Sequence, residues 1–248
     1  MKLYFQSYYE HAIYQESVLA NSCLEHGAEI LIKTIPCSRD MNNYYTAFFN
    51  LSIGIERFLK IMIVQFEYFN NDEIISDDCR KKIFAHGHNL IALYNEMAMR
   101  INISKVDENH KTYKLLLLLT DFAKGDRYYY LNILTSNKKP KEDFLSRWNA
   151  LCSEHFTNLV NIEDNSNEEG DYSIFENYKN RRILNEDIIK ISLETKKNVP
   201  CMIQEIKDIL SPFLHYMKYH YFKNKEGIVE PYIDFNGIFN FFNKVVSD

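Results

Sequence analysis

Phe48, Leu51, Ile55, Phe58, Leu59, Met62 and Phe66 recur at three- and four-residue steps. That spacing predicts an amphipathic helix over Tyr44 to Phe66, because residues three and four apart share one helical face. Ser52, Glu56 and Lys60 keep a four-residue step of their own beside that apolar stripe. Upstream, helical spacing runs from Tyr4 to about Ile32, with an interruption predicted near Gly27 and a short connection around Pro36.

Downstream, Asn70-Asn71-Asp72 breaks the pattern, and Ser76-Asp77-Asp78 reads as a helix start, its acids near the positive end of the dipole. Gly87 divides a short helix, Cys79 to His86, from a second one over His88 to Ile101 that turns Leu90, Leu93, Tyr94 and Met97 inward. A long helix is predicted from Lys111 to about Leu134; its Leu115 to Leu119 run is apolar nearly all round and belongs at the centre of a bundle.

After a loop at Ser136 to Pro140 comes a helix over Asp143 to Val160. The polar stretch Ile162 to Tyr172 has the composition of a surface loop and is the best internal boundary. It separates a bundle over 1–161 from a C-terminal helical extension over 173–248, packed on that bundle. The extension holds helical patterns at Asn185 to Lys197 and Pro200 to Phe222, and a final aromatic segment, Phe235 to Val246. The fold class is all-α, a helical bundle with additional C-terminal helices.

Composition narrows the function more than it defines it. With 7 Gly and 5 Pro among 248 residues, turns are few, which argues against a β-sandwich or a Gly-rich phosphate loop. The net charge of −5 argues against a general nucleic-acid coat and leaves room only for a local basic patch. Cys23, Cys37, Cys79, Cys152 and Cys201 are widely spaced without a CxxC pair, the pattern of reduced cytosolic thiols. No apolar run is long enough for a membrane span, and the N-terminus lacks the apolar core of a signal peptide. A cytoplasmic location without membrane attachment follows as the expectation. His215 and His220 stand five apart, off the i, i+4 spacing of a helical metal pair, so no metal site and no cofactor is expected.

Three stretches carry a family resemblance. Ala47 to Lys60 (AFFNLSIGIERFLK) places an acidic residue shortly before a Leu-Lys pair; Gly87 to Leu93 (GHNLIAL) opens a helix with G-H-x-L-x-x-L; and Asp126-Arg127-Tyr128 forms an x-R-Y step near the end of a later helix. In this order they resemble the HEPN family, helical bundles of prokaryotic toxin and antiviral systems, over roughly residues 40 to 135. The resemblance implies an RNA-binding or RNA-cleaving protein of a prokaryotic or phage-linked conflict system, acting as a homodimer. Many family members are metal-independent ribonucleases that use an Arg and a His separated by four to six residues. Arg80 and His86 carry that spacing here, with Lys81 where the family prefers Asn or Asp. In such a pair the imidazole moves protons and the guanidinium holds the phosphate.

His88, Asp126 and Arg127 are the candidates for RNA or nucleotide binding. Each also has a structural reading: His88 as a helix-opening residue, and Asp126 with Arg127 as ion-paired ties at a helix end. The aromatic clusters Tyr128 to Tyr130 and Tyr216 to Phe222 suit base stacking or core packing. The alternative to an RNA-directed protein is a non-catalytic helical scaffold that binds a protein partner or a nucleotide.

Overall fold

A computed structural model describes residues 8–34, 41–71, 74–135, 143–155 and 186–224, all helices and the segments joining them. The boundary expected at Ile162 to Tyr172, the loop at Ser136 to Pro140 and the aromatic segment Phe235 to Val246 lie outside the described residues. Among the described residues the fold is all-α, as the hydrophobic spacing predicts.

Helices α1 (Tyr8–Lys33) and α2 (Met41–Asn70) pack antiparallel along most of their length. Tyr9 stacks on Tyr68 at one end, with ring centroids 3.8 Å apart, and Glu16 pairs with Arg57 further along. Gly27 does not interrupt α1 as the sequence suggests. It serves close packing: a Cβ there would lie 2.8 Å from Leu51 Cγ and 2.9 Å from the Ala47 carbonyl oxygen. Gly54 is its counterpart on α2, where a Cβ would come within 2.7 Å of Leu24 Cγ. The two bare positions bring the helix backbones together.

Helix α3 (Asp77–His86) begins where its acids predict. Ser76 Oγ accepts a 3.1 Å hydrogen bond from the Cys79 amide, and Asp77 and Asp78 occupy the first turn. It ends at Gly87, whose φ of +54° belongs to the region that favours glycine. Helix α4 (Leu90–Arg100) is capped by Asn89, whose side-chain oxygen accepts from the Ala92 amide at 3.2 Å. His88 therefore precedes the cap. With His88 beside Glu56 and Arg100 beside Glu67, α4 runs along α2 in the same direction.

The long helix predicted from Lys111 to Leu134 is divided. Helix α5 (Lys111–Lys124) ends at Gly125, a short 3-10 turn follows over Asp126–Tyr128, and α6 covers Tyr129–Thr135. The backbone leaves the helical path at Gly125, and Arg147 holds Asp126 in its new place at 2.7 Å. Leu115, Leu116, Leu118 and Leu119 are buried at the bundle centre, with only Leu117 facing outward. Helix α7 (Phe144–His155) seats Phe144 and Trp148 against Phe48 of α2, with centroids 4.6 and 4.9 Å away.

The two C-terminal patterns form one helix, α8 (Glu186–Asn224), with Pro200 and Pro212 inside it. Continuity prevails over proline here because Val199, Met202, Ile203, Ile206 and Leu210 lie buried in the same core on either side of Pro200. The buried Glu205 carboxylate meets the start of α5, taking a 2.6 Å ion pair from Lys111 and a hydrogen bond from the Thr112 hydroxyl. That places negative charge at a helix N-terminus, where the dipole favours it.

Candidate functional site

Helix α2 organises the site. Phe49, Glu56 and Lys60 share one of its faces, since seven and eleven residues return close to the same angle at 100° per residue. The three stretches of the family resemblance meet along this face.

At the middle of α2, Glu56 Oε2 lies 2.7 Å from His88 Nδ1, across a separation of 32 residues in sequence. The other oxygen, Oε1, accepts from Lys60 Nζ at 2.7 Å. Glu56 is only 12% exposed, whereas His88 is half exposed. The sharp backbone turn at Gly87 carries the imidazole to this place, just ahead of the α4 cap. Glu56 thereby fixes the ring orientation through one nitrogen and leaves Nε2 of the half-exposed ring without a hydrogen bond among the described residues.

Two turns back along α2, about 10 Å by helical rise, Arg127 lies against Phe49. Its guanidinium carbon is 6.0 Å from the Phe49 centroid and 4.9 Å from that of Tyr128. Both rings are about half exposed. Among the described residues Arg127 makes no ion pair, and its Nε is buried with no hydrogen-bond partner. Aromatic faces hold a guanidinium by cation–π attraction and leave its N–H edges to meet an anion.

The neighbouring Asp126 has a different setting. Arg147 binds it at 2.7 Å and binds Asp121 at 2.6 Å, tying the 3-10 turn to α5 and α7. The predicted Asp126–Arg127 pair is thus divided between an ion-pair network and a stacked cation.

Arg80 and His86 both lie on α3. Six residues set them about 120° apart around the helix and about 9 Å apart along it. Arg80 is exposed and reaches Asp77 of its own first turn at 3.5 Å. His86 is half-buried at the last residue of the helix, and its Nε2 is buried without a partner among the described residues. The two side chains do not meet within one chain.

The sequence places Glu56 and Lys60 in the right helix without assigning them to the site, leaves Phe49 aside, and expects Tyr128 in a continuous helix where the structure has a 3-10 turn. The signal for Glu56 was present, an acid at four-residue steps from Ser52 and Lys60 beside the apolar stripe; its partner was not, because only the fold brings residue 88 to residue 56. Elsewhere, an open apolar groove of about 550 Å³ lies between Ile101 and Ile103 and the Ser211 to Tyr216 stretch of α8, away from these groups. Among the described residues no three His, Cys, Asp or Glu side chains are grouped to hold a metal ion, and no helix is long and apolar enough to cross a membrane. Compared with family models, curated proteins and solved structures, the chain gives no match in any of the three.

Proposed function

We propose that this chain is a HEPN-like helical bundle of a prokaryotic or phage-linked conflict system, which binds RNA through the α2 face that carries Arg127. One observation carries the reading. Arg127 lies over the Phe49 and Tyr128 rings, carries no carboxylate partner among the described residues, and keeps a buried Nε unsatisfied. A guanidinium so placed suits a phosphate, and the half-exposed rings beside it suit a base. The meeting of the α2, G-H-x-L and x-R-Y stretches on one face supports the family resemblance. The negative net charge fits a single gripping point better than a broad electrostatic footprint. The protein acts in the cytosol as a homodimer.

Fluorescence anisotropy with a labelled pool of random-sequence single-stranded RNA tests this reading. Wild type binds, Arg127→Ala binds at least tenfold more weakly, and the affinity falls as salt is raised. Equal binding by wild type and Arg127→Ala would overturn the assignment of the site.

A protein-binding scaffold is the second reading, and α6 favours it. Leu131, Ile133 and Leu134 are exposed there at 56, 36 and 83%, on a helix whose packing is against the 3-10 turn. Under that reading Leu134→Asp abolishes capture of a partner while RNA binding is absent from wild type.

A further inference from the structure

Ile101 and Ile103 flank the turn that ends α4, and Asn102 between them lies in the left-handed region, at φ +58°. The Ile103 amide donates to the Ala98 carbonyl at 2.9 Å and the Asn102 amide to that of Met99 at 3.3 Å, the paired closure of a Schellman turn. Glycine is the usual residue at such a left-handed position, and asparagine is one of the few side chains that adopt it. The chain reverses there and sets both isoleucines beside α8, where with Ser211, Pro212, His215 and Tyr216 they line the open groove of about 550 Å³. The groove is firmly backed. Tyr216 rests on the Phe66 ring, centroids 6.0 Å apart, and Arg100 lies over that ring at 5.7 Å. Ile101, Ile103 and Tyr216 pack on the core yet stay partly exposed. An apolar surface held in this way loses little freedom when it is covered. Its open shape suits the face of a helix better than an enclosed small molecule.

This chain carries a segment of matching chemistry, Phe235 to Val246, outside the described residues. At 100° per residue, Phe235, Ile238, Phe239, Phe242 and Val246 fall within about 100° of one another, while Asn236, Asn240 and Lys244 fall on the other side. So short a helix is marginal by itself in water and needs an apolar surface to pack on. The reach is sufficient. By helical rise the groove lies about 12–20 Å back from Asn224 along α8. Residues 225–234 span about 30 Å when extended, and Gly227 and Pro231 among them suit a reversal of direction. A tether of this length holds the segment at about millimolar effective concentration, which favours it over a free partner. We propose that Phe235 to Val246 docks as an amphipathic helix in the groove of its own chain, with Phe239 and Phe242 turned toward Ile101, Ile103 and Tyr216. The docked segment would close this apolar surface to other proteins. The proposal is independent of RNA binding at Arg127, which involves none of these residues.

The experiment uses the full chain with p-benzoylphenylalanine in place of His215, an exposed groove residue, so that illumination joins whatever occupies the groove. Cross-linked peptides are mapped by mass spectrometry, and hydrogen exchange is followed at the amides of residues 236–246. The expected product has the mass of one chain and joins position 215 to a residue within 235–246. Those amides should exchange about tenfold or more slowly than in a synthetic peptide of residues 232–248. Ile103→Asp, and separately Phe239→Ser combined with Phe242→Ser, should lower both the cross-link yield and the protection roughly tenfold, the scale for apolar side chains lost from a contact. Slow exchange at Leu115 to Leu119 checks that each variant keeps its bundle, and the paired substitution decides the matter if Ile103→Asp unfolds. A cross-link in a species of twice the mass assigns the groove to a second copy and overturns the proposal. Cross-links to no part of 235–246 overturn it as well, as does protection that survives the paired substitution.

Discussion

Arg100, the last residue of α4, closes an ion pair with Glu67 near the end of α2, Nη1 to Oε2 at 3.0 Å, with both side chains 12% exposed. The same guanidinium reaches Glu96 at 2.8 Å and lies over the Phe66 ring at 5.7 Å. Glu67 in turn accepts from the hydroxyl of Ser76, the residue that caps α3. One arginine therefore fastens the ends of two helices and the start of a third. Arg100→Met leaves Glu67 and Glu96 facing each other in a poorly solvated place. The expected loss is about 3 kcal/mol, the scale for breaking a largely buried pair, read as a lower midpoint in denaturant unfolding.

The same cluster sets a pH dependence. The Ser76 hydroxyl holds the Glu67 carboxyl below the usual range; burial opposes this, and Arg100 adds to the lowering. The unfolded chain thus takes up this proton at a higher pH than the folded one. The stabilisation is fully present above the ordinary glutamate value of about 4.3, and it is lost as pH falls through the lower folded value. Unfolding midpoints measured from neutral pH down to acid should fall less steeply in Glu67→Gln than in wild type. Parallel curves would exclude Glu67 as the source.

Gly54→Ala tests the α1–α2 contact. The new methyl would meet Leu24 Cγ at 2.7 Å and the Leu24 amide nitrogen at 3.0 Å, so side-chain rotation alone cannot relieve it. Overpacking of this kind costs about 1–3 kcal/mol, and a thermal melt should show a lowered transition. An unchanged melting temperature would mean that the helices separate without penalty.

Gly87→Ala isolates backbone strain, because nothing lies within 4 Å of a Cβ at that position. The φ of +54° with ψ of −118° still disfavours any side chain, at about 1–3 kcal/mol. His88 follows directly. Chemical-shift mapping of the His88 ring should therefore move together with the loss in stability.

Glu205→Gln removes the charge that meets Lys111 and keeps the side-chain size. Its hydrogen bond from Thr112 loses charge assistance, and Lys111 loses its 2.6 Å partner. A destabilisation of about 1–3 kcal/mol is expected, with hydrogen exchange at the first turn of α5 accelerating first. By contrast, Arg80→Ala should stay within about 0.5 kcal/mol of wild type, since its contact is an exposed 3.5 Å pair.

Local chemistry was the legible part of this fold. Apolar periodicity located α2 and α4, Ser76 with two following acids marked the start of α3, and Gly87 marked its end. Where the sequence reading missed, tertiary contacts override local preference. Gly27 reads as a breaker, but its missing side chain serves the approach of α2. Pro200 reads as a boundary, but burial on both sides keeps the helix whole. Gly125, inside an apparently continuous pattern, divides a helix because Arg147 draws Asp126 aside. The Glu56–His88 pair lies beyond any local rule, since the two residues are 32 positions apart and belong to different elements.

The two prolines of α8 bear on how the molecule moves. Each lacks the amide hydrogen that would bond four residues back, so the carbonyls of Lys196 and Asp208 lose the usual donor of an α-helix. The 39-residue rod therefore has two joints. Between them sits Glu205, clamped to the start of α5. Beyond Pro212, Phe213, Leu214 and Met217 are buried in the same core, so the second joint cannot open without exposing them. Mechanically, α8 is a jointed brace, held against the bundle on both sides of Pro212.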